Sequence, residues 1–258
     1  MGRVAAIIYG NGHTLGKFEV FAGSLAKTLR LTYGHGGVLI QKIVRRDEFF
    51  SYIAGPPTLG PTDKIAEIHV FAHSIGGGLF IAYGDETIDH RRQYLIDQAA
   101  HARRRITYRE VLDTESGAIL TDDFVRSPYR EKREAVRRNL TDHAAIKLWG
   151  CNAGVQGWVY TDGDPEDVRT AYYWRALNEQ NVPKPAVAQA FADYFGRICW
   201  GGWQRLSCRG YEPWSLGIYR AVSPESRALA IRGADPPVTS GSRRLSCVSS
   251  DAVDVSSQ

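Results

Sequence analysis

The chain has 258 residues, 43% of them apolar and 23% charged; that is enough to bury a full core, and the length fits one large α/β domain better than two independent ones. The net charge of +4 is a mild excess spread along the chain, so a nucleic-acid partner is not indicated. The four cysteines, Cys151, Cys199, Cys208 and Cys247, form neither a CxxC pair nor a Cys/His cluster with zinc spacing, so no metal and no cofactor are expected.

The amino terminus enters a continuous apolar run, Val4 to Tyr9, closed by Gly10-Asn11-Gly12. This pattern predicts a buried parallel strand ending in a loop. No long h-region or cleavage site follows, and no later run is long enough to span a bilayer. The expectation is a cytoplasmic protein, or one exported by a signal-peptide-independent route. Phe18, Phe21, Ala22, Leu25 and Leu29 fall at three- and four-residue steps before Gly34, which predicts a helix laid on the sheet. Val38 to Ile43 reads as a second strand, Asp47 to Ala54 as a short helix, and Ile65 to Ala72 as a third strand that ends at His73.

The glycine-rich run Ser74 to Gly78 leads into Leu79 to Tyr83, read as a further short strand, and Gly84 follows. Residues 88–143 are polar and rich in arginine, with helical spacing around Tyr94 to Ala102 and Arg130 to Leu140; they are expected to be a solvated helical insertion. Ala144 to Trp149 is a fourth core strand delivering Gly150-Cys151-Asn152-Ala153-Gly154. Ala186 to Phe195 is an amphipathic helix stopped by Gly196, Ile198 to Trp200 begins another strand, and Tyr211 to Val222 has a hairpin-like pattern. Residues 233–258 lose apolar periodicity and are expected to be a disordered tail, leaving 1–232 as the folded domain.

Strands and helices alternating in this way imply a three-layer α/β sandwich around a mostly parallel central sheet. Ligand sites in such sheets form outside the carboxyl ends of the strands. His73 and Cys151 are both placed there. A thiol attacks as thiolate and needs a lowered pKa, which a neighbouring imidazolium can supply. Loop amides near Ser74 and Gly76 can donate to an oxyanion on a substrate carbonyl. The chemistry this describes is acyl transfer, most simply hydrolysis of a peptide or amide bond.

The pattern Glu67-Ile-His-Val-Phe-Ala-His73-Ser-Ile-Gly-Gly-Gly-Leu-Phe-Ile81, then Ile146-Lys-Leu-Trp-Gly-Cys151-Asn-Ala-Gly154, then Val187-Ala-Gln-Ala-Phe-Ala-Asp193, resembles the caspase-like cysteine peptidases, and most closely their bacterial toxin self-processing, clostripain and gingipain types. As an order of elements the resemblance covers about residues 4 to 222. It implies a caspase-like fold, His73 as the catalytic imidazole, Cys151 as the nucleophile, a protein or peptide substrate, and a bacterial effector or toxin setting in which an immunity protein or activator is a natural partner. Ser74 stands where the family usually has glycine.

Two other readings compete with this one. Ala72-His73-Ser74-Ile75-Gly76 also resembles the nucleophile elbow of α/β-hydrolases, with Ser74 as nucleophile, His143 as base and Asp97, Asp113 or Asp122 as acid. That elbow would open a long helix. The third reading is an inactive caspase-like binding module that docks a partner through its arginine-rich insertion. Cys199, Cys208 and Cys247 are read as core or structural residues, and His69 as facing a helix layer from mid-strand.

Overall fold

The computed structural model describes residues 2–11, 18–74, 77–104, 106–107, 110–111, 113–150, 153, 162–163, 186–202 and 219–222. Cys151, Gly76, Cys208, Cys247 and the expected tail 233–258 lie outside the described residues.

Strand β1 (Arg3–Tyr9) is buried on both faces, as its unbroken apolar run requires. Helix α1 (Phe18–Tyr33) returns the chain with Phe18, Ala22, Leu25, Ala26 and Leu29 facing inward, and β2 (Val38–Lys42) pairs parallel to β1. Helix α2 (Arg46–Ala54) then leads to β3 (Lys64–Phe71), which pairs parallel to the other side of β1. A hairpin follows, β4 (His73–Ser74) antiparallel to β5 (Gly78–Phe80). Helix α3 (Glu86–His101) is capped by the Asp85 carboxylate, which accepts from the Ile88 amide at 3.1 Å.

Beyond a short strand β6 (Ile106–Thr107), β7 (Ala118–Leu120) joins the hairpin sheet against β5. Helix α4 (Tyr129–Arg138) and β8 (Leu140–Leu148) come next, β8 pairing parallel to β3. After β9 (Asp162–Gly163), helix α5 (Val187–Phe195) precedes β10 (Cys199–Gly202), parallel to β8, and β11 (Tyr219–Val222), antiparallel to β10. The central sheet thus runs β11-β10-β8-β3-β1-β2, five parallel strands with one antiparallel strand at the edge.

Helices cover both faces. One layer is α1, whose apolar stripe meets Ala5, Ile7, Val38 and Phe71. The other carries α2, α4 and α5, and its centre is aromatic: Phe50 stacks on Tyr129 at 4.4 Å, and Phe124 meets Phe191 at 4.9 Å. The α/β class and the mostly parallel sheet are as the sequence leads one to expect.

Residues 88–143 depart from expectation. The charge run is real, but Ile88, Ile96, Ala118, Ile119, Leu120, Phe124 and Val136 are all buried, and β7 completes the sheet behind His73. Arginine-rich faces and core positions alternate at helical and strand spacing, which overall polarity averages away. The segment also carries an internal ion pair: Arg46 on α2 reaches Asp123 at 3.1 Å, and Asp113 and the Tyr129 hydroxyl also contact its guanidinium. Burial works against the Arg46 charge, but Asp123 beside it and the hydrogen bonds that Arg46 donates to Tyr129 and Asp113 hold it protonated. β8 begins at Leu140, four residues earlier than its apolar core suggests.

Candidate active site

In the strand order β2-β1-β3 the chain leaves β1 in one direction and later returns to pair on its other side. The carboxyl ends of β1 and β3 therefore flank a crevice that no crossover covers, the place where open α/β sheets bind ligands. The Gly10–Asn11 segment leaves β1 here, with the Gly10 amide donating to the Phe71 carbonyl at 2.9 Å and the Asn11 amide to Ile81 at 2.7 Å. Only a glycine fits at position 10, because a Cβ would lie 2.5 Å from the Ile81 carbonyl oxygen.

His73 emerges from β3 at this crevice and opens the hairpin. Its ring lies 5.0 Å from Phe18, at the start of α1, and 4.4 Å from Tyr83. Two aromatic walls therefore limit the orientations of the imidazole. Ser74 is buried, with 7% of its surface accessible, and pairs with Leu79.

β8 delivers its carboxyl end to the same place. The Trp149 amide donates to the Val70 carbonyl at 2.8 Å, carrying the pairing with β3 one residue beyond the strand. Gly150 then lies against the His73 segment: a Cβ there would be 2.6 Å from Ser74 Cβ and 2.9 Å from the Ala72 carbonyl oxygen. Cys151, the next residue in the sequence, lies outside the described residues. The sheet thus brings the residue preceding Cys151 into contact with both neighbours of His73, from the far end of the β3–β8 connection. Past the loop, the Ala153 carbonyl accepts from the Ala188 amide at 2.9 Å, tying the segment to the start of α5.

One row of polar side chains on the α1 face was not singled out as functional from the sequence. Glu67 and His69 stand two apart on β3, and Trp149 lies just past the end of β8, two residues after Lys147, with His69 paired to Lys147. The His69 ring is buried, its Nε2 3.0 Å from Glu67 Oε2, while Trp149 Nε1 donates to His69 Nδ1 at 3.2 Å. Glu67 also accepts from the Tyr33 hydroxyl at 2.8 Å and lies 3.6 Å from Lys147 Nζ. The His69 hydrogen bond, with that of Tyr33 and the nearby charge of Lys147, holds the Glu67 carboxyl down to about 2 against the opposing effect of burial. Burial pushes the His69 imidazole below its usual range. The pair is therefore a carboxylate and a neutral ring with Nε2 protonated, leaving Nδ1 free to accept from the indole. A strand's two-residue alternation was the available signal, since it puts Glu67, His69 and His73 on one side.

The serine-hydrolase constellation does not assemble. Residues 78–80 form a strand, so no helix opens at Gly77. His143 is exposed near the start of β8, on the order of 20 Å down the strand from Gly150 at 3.3 Å per residue. Asp113 is engaged with Arg46, and Asp97 with Gln93. Cys199 is fully buried and its thiol is pushed well up by burial, consistent with a core role.

Among the described residues no group of three or more His, Cys, Asp or Glu side chains is placed to hold a metal ion, and no helix is long and apolar enough to cross a membrane. No known protein family, curated protein or solved structure matches the chain.

Proposed function

We propose that the protein is a cysteine endopeptidase or related amidohydrolase of caspase-like type, with Cys151 as nucleophile and His73 as its acid/base partner. The observation that carries the reading is the contact of Gly150 with Ala72 and Ser74, which leaves one peptide link between the His73 segment and the thiol-bearing residue. The crevice location and the antiparallel hairpin that follows His73 also fit the resemblance in sequence. A bacterial effector or toxin role, with a peptide or protein substrate and an immunity protein or activator as partner, goes with this reading.

In the mechanism, the Cys151 thiolate attacks an amide carbonyl and forms a tetrahedral oxyanion, towards which amides near Ser74 and Gly76 donate. The protonated His73 ring gives its proton to the leaving amine as the carbon–nitrogen bond breaks, and an acyl-thioester remains on Cys151. Water, deprotonated by His73, hydrolyses the thioester and restores the thiol. The aromatic walls of Phe18 and Tyr83 keep the ring aimed during both transfers.

Intact-mass labelling with iodoacetamide near pH 6, where only a depressed-pKa thiol reacts quickly, tests the dyad. Fast single labelling that vanishes in Cys151→Ala and slows in His73→Ala is the expected result. Slow labelling indifferent to both changes would overturn the cysteine mechanism.

A further inference from the structure

The row on the α1 face ends two residues before Cys151 in sequence. Trp149 is held by two neighbours: its indole stacks on Phe71 at 5.4 Å and 6°, lies 6.0 Å from the His69 ring, and donates Nε1–H to His69 Nδ1. His69 can accept only because its own proton is on Nε2, and Nε2 faces the Glu67 carboxylate. Glu67 is in turn anchored by the Tyr33 hydroxyl from α1 and by Lys147 from β8. A carboxylate that fixes a histidine tautomer, which then orients the next group, is the support that precise sites use.

This arrangement is more elaborate than packing requires. An apolar residue at position 69 would fill the same space beneath α1 without burying a polar ring, and a buried polar group contributes little net stability even when satisfied. What the network adds is direction: the Trp149 ring plane, and with it the backbone entering Gly150, has a single hydrogen-bonded setting.

We propose that Glu67, His69 and Trp149 form a positioning relay that holds Gly150, the residue before Cys151, against the His73 segment; the inference rests on the dyad reading above. None of the three touches substrate. They act through the backbone that leads to Cys151, and the Tyr33 hydroxyl that anchors Glu67 comes from α1, the helix that also supplies the Phe18 wall of His73.

Alkylation of the full chain by iodoacetamide, followed across about pH 5 to 9 and assigned to Cys151 by peptide mapping, tests the relay. Trp149→Phe keeps an aromatic ring against Phe71 and removes the Nε1–H donor along with the second ring of the indole, so its thermal midpoint is measured beside the labelling to separate lost packing from lost direction. Its Cys151 should react about tenfold more slowly near pH 6, with the pH midpoint displaced towards that of an ordinary thiol. Glu67→Gln, which keeps the side-chain shape and removes the charge that faces His69 Nε2, should slow the reaction in the same sense. Parent rates and pH midpoint in both variants, with His73→Ala still slowing the reaction, would overturn the relay and leave the dyad standing. Labelling unaffected by His73→Ala would overturn the dyad and the relay's catalytic purpose together.

Discussion

Gly150 and Ser74 touch so closely that a single added methyl group would bring two Cβ atoms to 2.6 Å. The neighbouring constraint is backbone, the Ala72 carbonyl oxygen at 2.9 Å, which cannot swing aside like a flexible side chain. Gly150→Ala should therefore lose about 1–3 kcal/mol of stability in urea unfolding and slow Cys151 alkylation. Adding Ser74→Gly should recover part of the loss, because it removes the nearer atom and leaves the carbonyl. A Gly150→Ala variant as stable and reactive as the parent would show that the two segments do not pack.

Acid should weaken the α1 face in two stages. The folded His69 ring titrates below its ordinary 6.5, so the unfolded chain takes up its proton first and stability begins to fall as pH drops below about 6.5. Glu67 follows: 4.5 is its ordinary value and about 2 its folded one. Its contribution is fully present above about 5 and is lost as pH falls through that window, on the order of 2 kcal/mol after allowance for partial exposure. The stability difference between parent and Glu67→Gln, measured by denaturant unfolding, should be largest near neutrality and shrink towards pH 2.5. A difference constant with pH would rule out a carboxylate contribution.

The walls of the imidazole can be separated from its chemistry. Tyr83→Phe keeps the ring 4.4 Å from His73 and should leave Cys151 labelling close to the parent rate. Tyr83→Ala opens the wall and should slow labelling several-fold, the cost of a mobile base. Equal rates in the two variants would assign His73 orientation to Phe18 and the hairpin alone.

Arg46 and Asp123 test how far the arginine-rich segment belongs to the core. The Asp123 side chain is 3% exposed and that of Arg46 12%, whereas Asp113 is 35% exposed. Arg46→Ala strands a buried carboxylate and should cost about 3–5 kcal/mol. Asp113→Ala, at the wetter end of the same cluster, should cost less than about 1 kcal/mol. Chemical unfolding monitored by tryptophan fluorescence distinguishes them, and similar small losses would return the segment to the surface.

The sheet was legible because its strands are largely apolar runs, unbroken in Val4 to Tyr9 and interrupted only by Lys147 in Ala144 to Trp149, each followed by glycine. The positions of His73 and Gly150 followed from the strand ends. Asp123 and Phe124 were not legible, since their burial depends on α2 and α5 packing over a short 3-10 turn, a tertiary outcome with no local periodicity. Nor was the relay: Glu67 and Trp149 look like an ordinary surface acid and a core aromatic until β3 and β8 align in register. The His69–Lys147 pairing is set by the sheet, not by either strand alone.

The crevice gathers Gly10 and Asn11, Phe18, Ala72 to Ser74, Tyr83 and Gly150, segments from widely separated parts of the chain. Its completion waits on the β3–β8 pairing, which closes a loop of some seventy residues and pays the largest entropy of any contact among them. A nascent chain that has folded only through α3 holds an imidazole without its thiol. On the proposed dyad, reactivity therefore arises late, with β8 in place, and a truncation before β8 loses the thiol together with the α5 aromatics that cover Phe49 and Phe50.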